Sequence, residues 1–110
     1  MRVTQDFEND ARFVVARPTV DELLETRSRA NKTYLDFLKI DVQTGLIFTD
    51  LALHADSKSK KDRNRKSARK AYDTVTRLLP KVTLSKLDGK ILTRNLKRLR
   101  SDLIKLGENV

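Results

Sequence analysis

Between Tyr34 and Ala55 the sequence reads YLDFLKIDVQTGLIFTDLALHA, its longest strongly apolar segment, with no proline inside it. Asp36, Lys39, Gln43, Asp50 and His54 recur at helical spacing as one thin polar stripe. Leu35, Phe37, Leu38, Ile40, Val42, Leu46, Ile47, Phe48, Leu51 and Leu53 take most of the remaining circumference. A helix that is apolar over so much of its surface has to be covered on more than one side. Asp36, Lys39, Asp41 and Asp50 would each be costly in lipid, so the segment reads as the central helix of a bundle and not as a membrane span.

Around that helix the chain has 110 residues, enough for one domain with a modest core. It has no Cys and no Trp. The core must therefore be aliphatic, and disulfide frameworks and thiolate zinc sites are excluded. The absence of Cys fits a reducing, cytoplasmic setting, and the first residues hold no apolar run of signal-peptide length. Scarce Gly and Pro beside abundant Leu, Lys and Arg indicate an all-α chain.

Residues 1–18 show no clean period and are expected to form an arm, with Phe7 or Phe13 available to pack. Thr19 and Glu22 have the spacing of a capping box. Val20, Leu23 and Leu24 open an apolar stripe that resumes in phase at Tyr34, predicting a helix over about 20–55. A break near 31–33, giving four helices, is the alternative. Asp56, Ser57 and Ser59 offer caps for a second helix, expected over 61–79. Its apolar face is Ala68, Ala71, Tyr72, Val75, Leu78 and Leu79, and Pro80 limits its end. Ser85 and Asp88 open a third helix over 85–106, carrying a three-four seam of Leu87, Ile91, Leu92, Leu96, Leu99, Leu103 and Leu106. Gly107 suits a left-handed stop, and 108–110 is a tail. Short connections make consecutive helices antiparallel neighbours. The expected fold is a small antiparallel bundle of three main helices, forming a single domain over 19–107.

Charge is unevenly divided. The net value is +9, yet residues 1–56 hold seven Lys/Arg against ten Asp/Glu, and residues 57–110 hold seventeen against five. The densest run includes Lys58, Lys60, Lys61, Arg63, Arg65, Lys66, Arg69 and Lys70, and a second set is Arg94, Lys97, Arg98 and Arg100. Sharing a face, Lys60, Lys61, Arg63, Arg65, Lys66, Arg69 and Lys70 with Arg94, Lys97 and Arg98 would neutralise a phosphate backbone without reading sequence. The plainer reading is a solvated face that keeps the protein soluble.

Ala68, Tyr72, Val75 and Pro80 fall at the intervals of the second helix of a tetratricopeptide repeat, and Phe48, Leu51, Ala52 and Ala55 loosely match its first. This stretch resembles one degenerate copy of such a repeat, with about four additional residues between the halves and Ala52 and Ala55 where Gly and Tyr are characteristic. The resemblance implies a groove for a peptide or a protein helix. Any antiparallel helix pair also wants small residues at a close crossing.

His54 is the sole imidazole, beside Asp50 and Asp56. Its ordinary role at a helix C-terminus is to interact with the dipole; a His54–Asp50 base is the enzymatic alternative. Asp41, among apolar neighbours, is expected to pair with Arg69 or Arg94. No nucleophile elbow, glycine-rich phosphate loop or metal-ligand cluster is present, so no catalytic residue, cofactor, metal or small-molecule substrate is indicated. The expected function is a small non-enzymatic interaction module that self-associates or binds a partner helix, with Leu99, Leu103 and Leu106 as the contact seam. Sequence-independent nucleic-acid binding is the alternative.

Overall fold

The first helix opens on a reciprocal capping box. The Glu22 backbone N–H donates to Thr19 Oγ1 at 3.1 Å, and the Thr19 N–H donates to Glu22 Oε1 at 2.8 Å. In the computed structural model, which describes residues 19–110, helix α1 then runs unbroken over Val20–Leu53. The expected arm, with Phe7 and Phe13, lies outside the described residues. Helix α2 spans Lys58–Leu78, a 3-10 turn follows over Leu79–Lys81, and helix α3 spans Lys86–Lys105. The fold is an all-α, three-helix bundle among the described residues.

The chain divides into two compact units, Met1–Ala30 and Asn31–Val110. In the first, every residue over Thr19–Ala30 is exposed, and Arg29 lies 3.8 Å from Glu25 one turn earlier. The division falls inside α1, where side chains begin to be buried.

The second unit holds the core. Leu38 and Val42 of α1, Val75 of α2 and Leu92 of α3 form one buried cluster. Ala68, Leu99 and Leu103 form another, packed by Leu46, Phe48, Tyr72, Leu96 and Val110. Gly45 marks a close approach. A Cβ built there would stand 2.8 Å from Leu99 Cδ2 and 3.3 Å from Ala71 Cβ, so all three helices converge on a residue without a side chain. Moving up α1, the contacts are Asn31 with Thr83, Lys39 with Asp88, Gly45 with Leu99 and Thr49 with Asp102. These climb α3 in step, while α2 contributes Val75 near Leu38 and Ala71 at Gly45, in descending order.

Local chemistry sets the ends. Ser57 caps α2 by accepting from the Lys60 N–H at 3.2 Å, which starts that helix at Lys58, earlier than the charge pattern indicated. Ser85 caps α3 by accepting from the Asp88 N–H at 3.1 Å. Gly107, at φ +93, ends α3: its N–H donates to Ile104 and that of Glu108 to Leu103, the paired bonds of a Schellman motif. Asn31 does not break α1. Its side-chain amide donates to the Thr83 carbonyl at 3.0 Å, and its Oδ1 accepts from the Thr83 N–H at 2.7 Å. An amide that seemed suited to a helix break instead fastens the α2–α3 connection.

Candidate functional site: the uncovered face of the first helix

The core takes one side of α1: Leu38, Val42, Gly45, Thr49 and Ala52 are buried. On another side, Phe37, Ile40, Thr44, Ile47 and Leu51 recur at spacings of three and four, the period of a helix-packing seam. Four of these are large and open to solvent: Phe37 is 45% exposed, Ile40 65%, Ile47 59% and Leu51 49%. The fifth, Thr44, returns its hydroxyl to the Ile40 carbonyl at 2.9 Å. A contiguous apolar ridge of this kind marks an interaction surface more often than a set of scattered single residues does.

Carboxylates edge the ridge. Asp36 and Asp50 flank it on one side together with Gln43, and Asp41 flanks it on the other with Phe48. Asp36 pairs with Lys32 at 3.1 Å and Asp50 with His54 at 3.3 Å, both with exposed partners. Asp41 is half-buried and makes no ion pair among the described residues, so the expected bridge to Arg69 or Arg94 is not formed. Burial without a partner raises its pKa above the ordinary aspartate value of 3.8. Because the folded-state value is the higher one, ionised Asp41 opposes folding, and this penalty is absent below the unfolded pKa and grows as pH rises through the folded one. Asp41→Asn should therefore raise the urea midpoint at pH 7 relative to the parent, with the gain shrinking toward zero as the pH is lowered to 3. Asp88 behaves oppositely. The Lys39 ammonium at 3.0 Å and the Ser85 hydroxyl hold its pKa down.

The leucine seam of α3 lies elsewhere. Leu99 and Leu103 are fully buried and Leu106 is 7% exposed, so these expected partner contacts are core residues. They are internal because α2 and α3 both pack their apolar faces against α1, leaving the surplus on the broader apolar circumference of α1.

The basic residues divide. Arg65 and Arg69 converge on Glu108: Arg69 Nη1 donates to Glu108 Oε1 at 2.9 Å, and Arg65 Nε lies 3.2 Å from Oε2 without hydrogen-bond alignment. Arg69 also grips Asp73 at 3.0 Å, and Lys60 pairs with Asp56 at 3.1 Å. Residues read as a tail thus clasp α2. Lys61, Arg63, Lys66, Lys70, Arg94, Lys97 and Arg98 make no ion pair among the described residues. Arg63 and Lys66 line one shallow surface with Lys58, while Arg94 and Lys97 line another, along α3, with Lys86 and Lys90.

His54, just past the end of α1, is exposed, and its Nδ1 lies 2.9 Å from the Asp50 carbonyl oxygen. Among the described residues no group of three or more His, Cys, Asp or Glu is placed to hold a metal, and no helix is long and apolar enough to cross a membrane. Tyr72 and Phe48, part of the tetratricopeptide likeness, pack on the Ala68–Leu99–Leu103 cluster. Compared with protein-family models, curated proteins and solved structures, the chain matches none.

Proposed function

We propose that the protein is a non-enzymatic interaction module that binds an amphipathic helix along α1. The observation that carries this reading is the exposed ridge of Phe37, Ile40, Ile47 and Leu51, set at helix-packing period and outside both buried clusters of the described residues. A helix laid on such a ridge buries its own apolar stripe, which is how helix-in-groove recognition gains affinity. A labelled peptide with an apolar three-four stripe should show saturable binding by fluorescence anisotropy. Ile40→Gln/Ile47→Gln should weaken it at least about tenfold, since each lost aliphatic contact is worth on the order of 1 kcal/mol or more. Equal binding by parent and variant would place the docking surface elsewhere.

A second reading rests on Lys86, Lys90, Arg94 and Lys97 along α3, which line one surface and make no ion pair among the described residues. They suit a phosphate backbone. Binding of generic duplex DNA that falls steeply with salt and disappears in Lys90→Glu/Arg94→Glu would favour it; flat salt dependence would dismiss it.

A further inference from the structure

The edges of the α1 ridge specify its occupant. This inference rests on the helix-docking reading above. In the seam, Phe37, Thr44 and Leu51 take one repeating position and Ile40 and Ile47 the other. The flanking positions, which face the edges of a packed helix, are then Asp36, Gln43 and Asp50 on one side and Asp41 and Phe48 on the other. Of the nearby cations, Lys32 pairs with Asp36 at 3.1 Å and Lys39 is engaged by Asp88 at 3.0 Å.

A second copy of this chain fits poorly. An antiparallel pair centred on Thr44 sets Asp36 of each copy against Asp50 of the other. A parallel pair sets Asp36 of each against Asp41 of the other. Both arrangements oppose like charges, a standard device against self-pairing. We propose that the occupant is an amphipathic helix of a different polypeptide, bearing Lys or Arg on both edges of its apolar stripe.

Charge complementarity is the argument, and it is local. Asp41 is half-buried at the edge of the ridge without an ionic partner among the described residues, and a cation from the occupant supplies one. The net charge of +9 does not oppose this. The excess cations lie on α2 and α3; Lys60, which shares a surface with Leu51, is paired with Asp56 at 3.1 Å, and the Debye length at physiological salt is about 8 Å. Their repulsion is screened more strongly than direct contacts at the ridge edge.

The test uses the intact chain and two labelled helical peptides that share one apolar stripe, one with Lys and one with Glu at the edge positions. At physiological salt the Lys-edged peptide should bind roughly tenfold tighter, since three pairs at a partly exposed edge each give a few-fold at most. Asp36→Asn/Asp41→Asn/Asp50→Asn should bring the two affinities together. If both peptides bind equally to the parent, and Ile40→Gln/Ile47→Gln weakens both, the docking reading stands and the charge inference falls. Sedimentation of the chain alone as a dimer that Ile40→Gln/Ile47→Gln dissociates would make a second copy the occupant and overturn the proposal. Binding that emerges only in a Phe7→Glu/Phe13→Glu variant would assign the ridge to the chain's own N-terminal segment and overturn it too. Failure of both peptides to bind the parent overturns the docking reading itself.

Discussion

Leu99→Ala lowers the unfolding free energy by about 2–5 kcal/mol, the range for a fully buried leucine whose neighbours relax only in part. Leu99 has no exposed surface and sits where the three helices converge, against Gly45 of α1 and in the cluster that includes Ala68 of α2. Removing its isobutyl group withdraws contacts from all three helices. Domains of this size have total stabilities of roughly 5–15 kcal/mol, so a large share is lost. The thermal midpoint should fall by roughly 10–30 °C. Urea unfolding followed by helical circular dichroism measures this. A loss under about 1 kcal/mol, the level of an exposed position, would mean that Leu99 is not internal.

Gly45→Ala, by contrast, changes sign with the state of position 99. In the parent, the new methyl would meet Leu99 Cδ2 at 2.8 Å and Cδ1 at 3.2 Å, inside the normal carbon–carbon separation of about 3.5–4.0 Å. Overpacking of that kind costs about 1–3 kcal/mol, set against a gain of up to about 1 kcal/mol from replacing glycine inside a helix. In Leu99→Ala the obstructing carbons are gone, leaving Ala71 Cβ at 3.3 Å. There the methyl fills part of the cavity, and the substitution should be neutral or stabilising by up to about 1 kcal/mol. The four unfolding free energies of this double-mutant cycle should give a favourable coupling of about 1–3 kcal/mol. Additive effects would contradict the packing of α3 against α1 at this crossing.

Much of the architecture was legible because periodicity reports burial directly. The three-four rhythm from Leu92 to Leu106 forms a buried face, and Thr19, Ser57, Ser85 and Gly107 act at helix ends as their chemistry implies. The proposed binding surface was legible only in part. A rhythm shows that a face packs, but not whether it packs within the chain. Leu99, Leu103 and Leu106 carry the cleaner seam and are interior. The ridge of Phe37, Ile40, Ile47 and Leu51 was submerged in a helix apolar almost all round. Only the count of covering helices separates its two sides. Long-range polar links left no pattern to read: Asn31 with Thr83, and Glu108 with Arg65 and Arg69, join residues distant in sequence. The Glu108 links also explain why a continuous basic run yields a divided basic surface.

The central claim is that α1 has one face that folds the chain and another left free to bind. Urea unfolding of Ile40→Gln/Ile47→Gln, beside Leu99→Ala, separates the two most directly. The ridge variant should keep the parent's m-value and stay within about 0.5 kcal/mol of its stability, as exposed helical positions do. A loss comparable to that of Leu99→Ala would show that the ridge is buried in the folded protein, and the binding face would be part of the core.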